Sequence, residues 1–105
     1  MAKTPEGNIK RKINLLLDSY GNHVYTFMPV PSGYGVATID YFVCMDGIFV
    51  GIEAKAPGKR PTARQESTLA DIRAAGGSTF VVDGDESLEV LKQFLHSITH
   101  AWRNA

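Results

Sequence analysis

The sequence has 105 residues, enough for one domain and too few for two with separate cores. Hydrophobic residues make up 44%, charged residues 21%, and the formal net charge is zero, so the composition alone gives no reason to expect a nucleic-acid partner. No apolar run reaches the roughly 20 residues of a membrane span, the N-terminus lacks a secretory signal, and one cysteine excludes an intrachain disulfide. We expect one intracellular domain over residues 1–105, with no membrane partner.

The first predicted element is a helix. Thr4 fits an N-cap, Pro5 suits the first helical position, and Gly21 can end the helix in a left-handed conformation. Between them, apolar residues recur at intervals of three and four, as on one face of a helix. These residues are Ile9, Ile13, Leu16 and Tyr20.

Three strands are predicted next. A short β-type run covers residues 24–28, and two prolines and two glycines then make residues 28–35 a loop. Residues 37–45 and 48–56 are rich in β-branched and aromatic side chains. Asp46-Gly47 lies between them, and this dipeptide is typical of a two-residue hairpin turn.

The second half of the chain adds a helix, a strand and a helix. Thr62 starts a helix that Gly76-Gly77 closes, and residues 79–82 form a short apolar strand of the kind found buried in sheets. Asp85 is predicted to cap the last helix. The element order is therefore α-β-β-β-α-β-α, which indicates one α/β domain with a mixed sheet covered by helices.

The turn at Asp46-Gly47 also fixes the register of the hairpin, because opposed residues then have numbers that sum to 93. Asp40 falls directly opposite Glu53, where like charges destabilise a sheet. A divalent cation between them removes this conflict, since Mg²⁺ is typically held by one or two carboxylates with phosphate oxygens and water. Alternation along the strand places Lys55 on the same face as Glu53. The other face is predicted to carry Ile39, Tyr41, Ile52 and Ala54.

Two acids and an ammonium group at the end of an apolar hairpin have two interpretations. They are either the site of a metal-dependent phosphodiester reaction or a surface ion-pair cluster at a strand end. Cys44, on the same face but closer to the turn, is predicted to be a packed core residue.

Residues 39–41 (IDY) and 52–65 (IEAKAPGKRPTARQ) favour the first interpretation. They resemble the PD-(D/E)XK nuclease superfamily and, more narrowly, a stand-alone VRR-NUC domain. That pattern has an acid on the second core strand, E-x-K on the third, a loop of Gly, Pro and basic residues, and a helix with a glutamine near its start. The resemblance implies a restriction-endonuclease-like core. The family acid often follows a proline, which is absent from residues 37–40 here.

The resemblance also implies roles for individual residues. Asp40 and Glu53 would bind Mg²⁺ or Mn²⁺, helped by the backbone carbonyl of Ala54. Lys55 would be the catalytic lysine, supported from the helix by Gln65. An alternative for Gln65 remains open, because residues 62–65 also fit a capping box.

Further residues belong to the predicted site and its DNA-binding surface. Many family members carry a glutamate in the first helix, where this chain has Glu6, although Glu6 also fits a simple interaction with the helix dipole. Lys59, Arg60 and Arg64 are predicted to contact DNA phosphates. Tyr34, in the glycine-rich loop, is predicted to offer a stacking surface to a base.

We therefore expect a Mg²⁺- or Mn²⁺-dependent DNA endonuclease, selective for branched or Holliday-junction-like DNA. The alternatives are a non-catalytic DNA-binding or assembly module on the same fold, and a purely structural domain. A homodimer is expected, because the last helix is apolar on more than one side and stand-alone relatives are often dimeric. The resemblance is compatible with a cytoplasmic, phage-encoded protein of a bacterial host, and leaves a helicase or a repair or replication protein open as a further partner.

Overall fold

The computed structural model describes residues 4–30 and 38–103, with side chains up to Thr99. Across these residues, three helices and four strands follow the predicted order α-β-β-β-α-β-α, which confirms the α/β fold class. A short 3₁₀ turn, Gly21–His23, precedes the first strand. Where the chain is described, no helix combines the length and the apolarity that a bilayer span needs. The elements are α1 (Pro5–Asp18), β1 (Val24–Phe27), β2 (Tyr41–Met45), β3 (Ile48–Ala54), α2 (Ala63–Ala74), β4 (Ser78–Val82) and α3 (Asp85–Arg103).

The four strands form one mixed sheet in the order β1-β2-β3-β4. The first two pairings are antiparallel, and β3 pairs with β4 in parallel. A parallel pair needs a crossover connection, and α2 supplies it. The sheet is therefore a meander of three strands with a fourth strand added at the edge by a βαβ unit.

Helices α1 and α3 cover one face of the sheet. Every second residue of β2 and β3 points to that face, and these side chains pack against the apolar stripes of both helices. The other face is covered by α2, since Ile72 of that helix lies over Gly51 of β3. The main core consists of Ile9, Ile13, Leu17, Tyr41, Val43, Met45, Val50, Ile52, Ala54, Val82, Leu91 and Leu95.

The hairpin turn is formed as predicted. Asp46 and Gly47 both have positive φ angles, 46° and 88°, as a type I′ turn requires. The resulting register pairs Met45 with Ile48 and Tyr41 with Ile52. Opposed residue numbers therefore sum to 93, and the register prediction is confirmed.

The helix ends are only partly as predicted. The hydroxyl of Thr4 accepts a hydrogen bond from the backbone N–H of Gly7 at 2.9 Å, which confirms the N-cap of α1. This helix ends at Asp18, before Gly21, although Gly21 does have a positive φ of 57°. Asp85 is wrong as a cap, because it is the first helical residue of α3 and its carboxylate binds Lys12 instead.

Two predictions about the α2 face are also wrong. Ile39 is predicted on the opposite face, with Tyr41, but its side chain lies on the α2 face, over Gly51. The reason is that β2 starts only at Tyr41, so strand alternation does not extend back to Ile39. Cys44 is exposed instead of packed. The strand β4 is half-buried except at Val82, because it lies at the edge of the sheet.

Candidate active site

Asp40 and Glu53 lie at the end of the hairpin that is opposite the turn. The backbone N–H of Asp40 donates a hydrogen bond to Oε1 of Glu53 at 3.1 Å. In return, the backbone N–H of Ala54 donates to Oδ2 of Asp40 at 2.8 Å. The two acids are therefore interlocked across the strands, and each carboxylate accepts a backbone hydrogen bond from the opposite strand.

Each carboxylate also has a lysine beside its second oxygen. The ammonium of Lys55 is 3.5 Å from Oε2 of Glu53. The ammonium of Lys10, from helix α1, is 3.4 Å from Oδ1 of Asp40. All four carboxylate oxygens are thus in contact with a positive charge or an N–H group. The site brings together the predicted Asp40, Glu53 and Lys55, and it adds Lys10.

Sequence reasoning missed Lys10. A usable indication existed, since Lys10 is four residues after Glu6 and next to the buried Ile9, so it had to lie near the edge of the apolar stripe of α1. Tyr41 holds this part of the helix against the sheet, because its hydroxyl donates a hydrogen bond to the carbonyl of Lys10 at 3.2 Å. Helix α1 therefore delivers Lys10 to the hairpin end.

Burial makes Glu53 an unusual carboxyl group. Its exposed fraction is 1%, and this burial, followed by the charge of Asp40, raises the pKa of Glu53 to about 7. Lys55 and the N–H of Asp40 oppose the shift without cancelling it. Ionised Glu53 is therefore disfavoured where it lies, and a bound cation would relieve this by stabilising its negative charge.

Glu6 reaches the site only through Lys10. Its Oε2 is 3.5 Å from the ammonium of Lys10, and that ammonium also contacts Asp40. Burial lowers the pKa of Lys10, but the charges of Asp40 and Glu6 together outweigh it and raise that pKa above its ordinary value. Glu6 also lies in the first turn of α1, so the dipole interaction remains open.

Gln65 forms the capping box that the sequence allowed. Its side-chain oxygen accepts a hydrogen bond from the N–H of Thr62 at 2.9 Å, and its own N–H donates to the Thr62 hydroxyl at 3.2 Å. Among the described residues, no hydrogen bond joins Gln65 to Lys55. The supporting role of Gln65 for Lys55 stays a prediction.

Replacement of Gln65 separates these two roles. Gln65→Ala should lower the free energy of unfolding by about 1 kcal/mol, because the cap is lost. Gln65→Glu keeps an acceptor at the same position of the capping box and should leave the melting temperature unchanged. If Gln65 supports Lys55, the Glu variant will nevertheless cleave DNA more slowly. A Glu variant with the wild-type cleavage rate would leave the cap as its only role.

The predicted phosphate-binding residues Lys59, Arg60 and Arg64 are all exposed. Lys59 and Arg60 follow a turn closed by a hydrogen bond from the N–H of Lys59 to the carbonyl of Ala56 at 2.9 Å. They line an open cavity of about 320 Å³ beside β4, together with Gly58, Pro61, Glu66, Val81 and Asp83. Tyr34 lies outside the described residues.

The donor set fits Mg²⁺ or Mn²⁺ better than a structural zinc ion. Among the side chains of residues 4–30 and 38–99, no group of three or more His, Cys, Asp or Glu is arranged to hold a metal. Asp40 and Glu53 provide two carboxylates, which is what Mg²⁺ usually takes from a protein before water and phosphate complete its shell. A closed site of the structural zinc type would need more protein ligands.

No protein-family model and no curated protein matches the chain. The VRR-NUC resemblance therefore depends on the motif residues alone.

Proposed function

We propose that this protein is a Mg²⁺- or Mn²⁺-dependent deoxyribonuclease that hydrolyses phosphodiester bonds within DNA. The observation that carries the proposal is the interlocked pair of Asp40 and Glu53, which places two carboxylates and two lysines at one end of the sheet. Bound Mg²⁺ or Mn²⁺ would polarise the phosphate and lower the pKa of the attacking water.

The ligands would be the carboxylate oxygens that now face lysines, Oδ1 of Asp40 and Oε2 of Glu53. The carbonyl of Ala54 is a third candidate. A strand residue points its N–H and its C=O to the same neighbouring strand, and the N–H of Ala54 binds Asp40. The backbone hydrogen bonds on Oδ2 and Oε1 would keep both carboxylates oriented.

Lys55 would stabilise the reaction electrostatically. Its ammonium is half-buried next to Glu53, so it is held in place before the substrate arrives. A positive charge positioned this way interacts with the negative charge that develops on the phosphate oxygens during hydrolysis. Gln65 would help to orient Lys55, and Glu6 would act on the site through Lys10.

DNA would reach the site along the basic loop, with Lys59, Arg60 and Arg64 on its phosphates and Tyr34 stacked on a base. A homodimer would present two such sites and suit branched or Holliday-junction-like DNA. A cytoplasmic location, a phage origin and a helicase or repair partner remain proposals from the VRR-NUC resemblance alone.

Loss of two loop charges should weaken DNA binding by a measurable amount. We expect the Lys59→Ala, Arg60→Ala double variant to bind duplex and branched DNA more weakly without a change in preference. Each lost phosphate contact lowers the slope of log K against log salt concentration by about 0.9, so the double variant should lose about 1.8. Fluorescence anisotropy in Ca²⁺, over a range of NaCl concentrations, gives that slope. A wild-type slope would contradict the placement of DNA on this loop.

Activity itself is tested by incubating the protein with Mn²⁺ and linear, flapped and four-way DNA. We expect cleavage that requires the metal, favours branched substrates and is lost in Lys55→Met, which keeps most of the side-chain volume. Lys12→Met is the matched control, since Lys12 pairs with Asp85 outside the site. Absence of cleavage on every substrate would contradict the proposal that this protein is a nuclease.

A non-catalytic DNA-binding or assembly module is the second candidate. The observation that favours it is that all four carboxylate oxygens of Asp40 and Glu53 have partners within the protein. This module would bind DNA through the basic loop, but Mn²⁺ would not raise its melting temperature.

A further inference from the structure

The ammonium group of Lys10 contacts two carboxylates, those of Asp40 and Glu6. The distance is 3.4 Å to Oδ1 of Asp40 and 3.5 Å to Oε2 of Glu6. Its side chain is 36% exposed, so the ammonium lies at the boundary between the site and solvent. Glu6 is more exposed than Asp40, at 42% against 21%, and therefore marks the solvent side of this arrangement.

The oxygen that Lys10 contacts is the Asp40 oxygen without a backbone hydrogen bond. Oδ2 of Asp40 is fixed by the N–H of Ala54, whereas Oδ1 has the ammonium as its partner. An ammonium and a divalent cation at one oxygen repel each other strongly at contact distance. A cation that binds Oδ1 of Asp40 therefore competes with Lys10, and the Lys10 side chain, 36% exposed, can withdraw towards solvent more easily than that of Lys55, which is 15% exposed.

We propose that Lys10 is a positioning residue that holds Asp40 in the metal-free protein and moves to Glu6 when a divalent cation binds. This proposal rests on the metal-dependent function proposed above. The long lysine side chain needs only rotamer changes for such a movement, and Glu6, four residues earlier on the same helix, is within reach in either state. Lys10 thus competes with the cation for Asp40. Glu6 favours cation binding, because it offers the Lys10 ammonium another carboxylate to pair with.

The proposal predicts opposite effects of two neighbouring substitutions on affinity for Mn²⁺ alone, measured by isothermal titration calorimetry. Lys10→Met removes the competing charge and should lower the Kd about 3- to 10-fold, as expected for loss of one partly exposed ion pair. Glu6→Gln removes the alternative partner and should raise the Kd. Lys12 is two residues further along α1 and pairs with Asp85, so Lys12→Met should leave the Kd unchanged.

The double variant Glu6→Gln, Lys10→Met decides whether Glu6 acts through Lys10. If Glu6 acts only by pairing with the Lys10 ammonium, its removal has no effect once Lys10 is replaced. The double variant should then have the same Kd as Lys10→Met. If Glu6→Gln still weakens Mn²⁺ binding in that background, Glu6 acts on the cation itself and the proposed movement of Lys10 is wrong.

The remaining outcomes separate this inference from the proposed function. Wild-type protein that binds Mn²⁺ with the affinity of Lys10→Met, or more tightly, would overturn the role of Lys10 and leave the nuclease proposal standing. Absence of Mn²⁺ binding in the wild type and in all variants would overturn both. Lys10→Gln, with far-UV circular dichroism to check the fold, provides a second variant that removes the charge.

Discussion

Glu53→Gln is expected to abolish DNA cleavage and, at the same time, to stabilise the metal-free protein at pH 8. Cleavage should fall by more than the roughly 100-fold that a metal site loses when only an outer-shell partner is removed, because Glu53 is a proposed ligand. The amide oxygen of glutamine can still accept the N–H of Asp40, so the interlock of the two strands should persist. Single-turnover cleavage of a four-way junction in Mn²⁺ measures the first effect.

The stability effect follows from the buried charge. Burial and Asp40 raise the pKa of Glu53 from 4.5 to about 7, and each pKa unit corresponds to about 1.4 kcal/mol. Ionised Glu53 therefore costs on the order of 3 kcal/mol above pH 7. This figure already includes the opposing attraction to Lys55, so it is an upper limit for the gain from the substitution. Even 1 kcal/mol would raise the melting temperature by about 4–8 °C in a domain of this size.

A matched control is Glu89→Gln, since Glu89 is an exposed glutamate on α3. That variant should cleave DNA normally and have the melting temperature of the wild type. A Glu53→Gln protein that cuts DNA at the wild-type rate would contradict the proposed active site. One that melts below the wild type at pH 8 would show that the ion pair with Lys55 outweighs the burial of the charge.

The hairpin shows how far local sequence determines this site. A turn of two residues with positive φ sets the register of both strands, and counting from Asp46-Gly47 places Asp40 against Glu53. Counting does not show where the strand begins. In the structure the carboxylates of these two residues accept the N–H groups at the hairpin end, β2 starts at Tyr41, and Ile39 therefore faces α2.

Contacts between distant segments explain the other differences. Whether Cys44 is buried depends on which distant segment packs over it, and no pattern around residue 44 encodes this. Lys10 enters the site because α1 packs across the strands, and only the packed structure brings residue 10 to residue 40. Gln65, in contrast, has a local partner in Thr62, so its capping box was readable from four consecutive residues.

The stability of the metal-free protein should fall as the pH rises from about 5 to 8, opposite to the usual behaviour of paired carboxylates. The folded pKa of Glu53, about 7, lies above its unfolded value of 4.5, so between these values the folded state binds more protons than the unfolded state. Stability then decreases with increasing pH through this window and levels off above the folded pKa. Urea denaturation at half-unit pH intervals measures the trend.

Mn²⁺ should act in the opposite direction over the same range. The cation needs ionised Glu53, so binding must displace the proton that this residue holds near neutral pH. The increase in melting temperature caused by a fixed Mn²⁺ concentration should therefore be larger at pH 8 than at pH 5.5. Glu53→Gln should show neither the decline of metal-free stability nor the pH-dependent gain from Mn²⁺. A ligand with a raised pKa has to lose its proton before it can bind a cation. A Mn²⁺ effect of equal size at both pH values in the wild type would therefore show that Glu53 does not bind Mn²⁺.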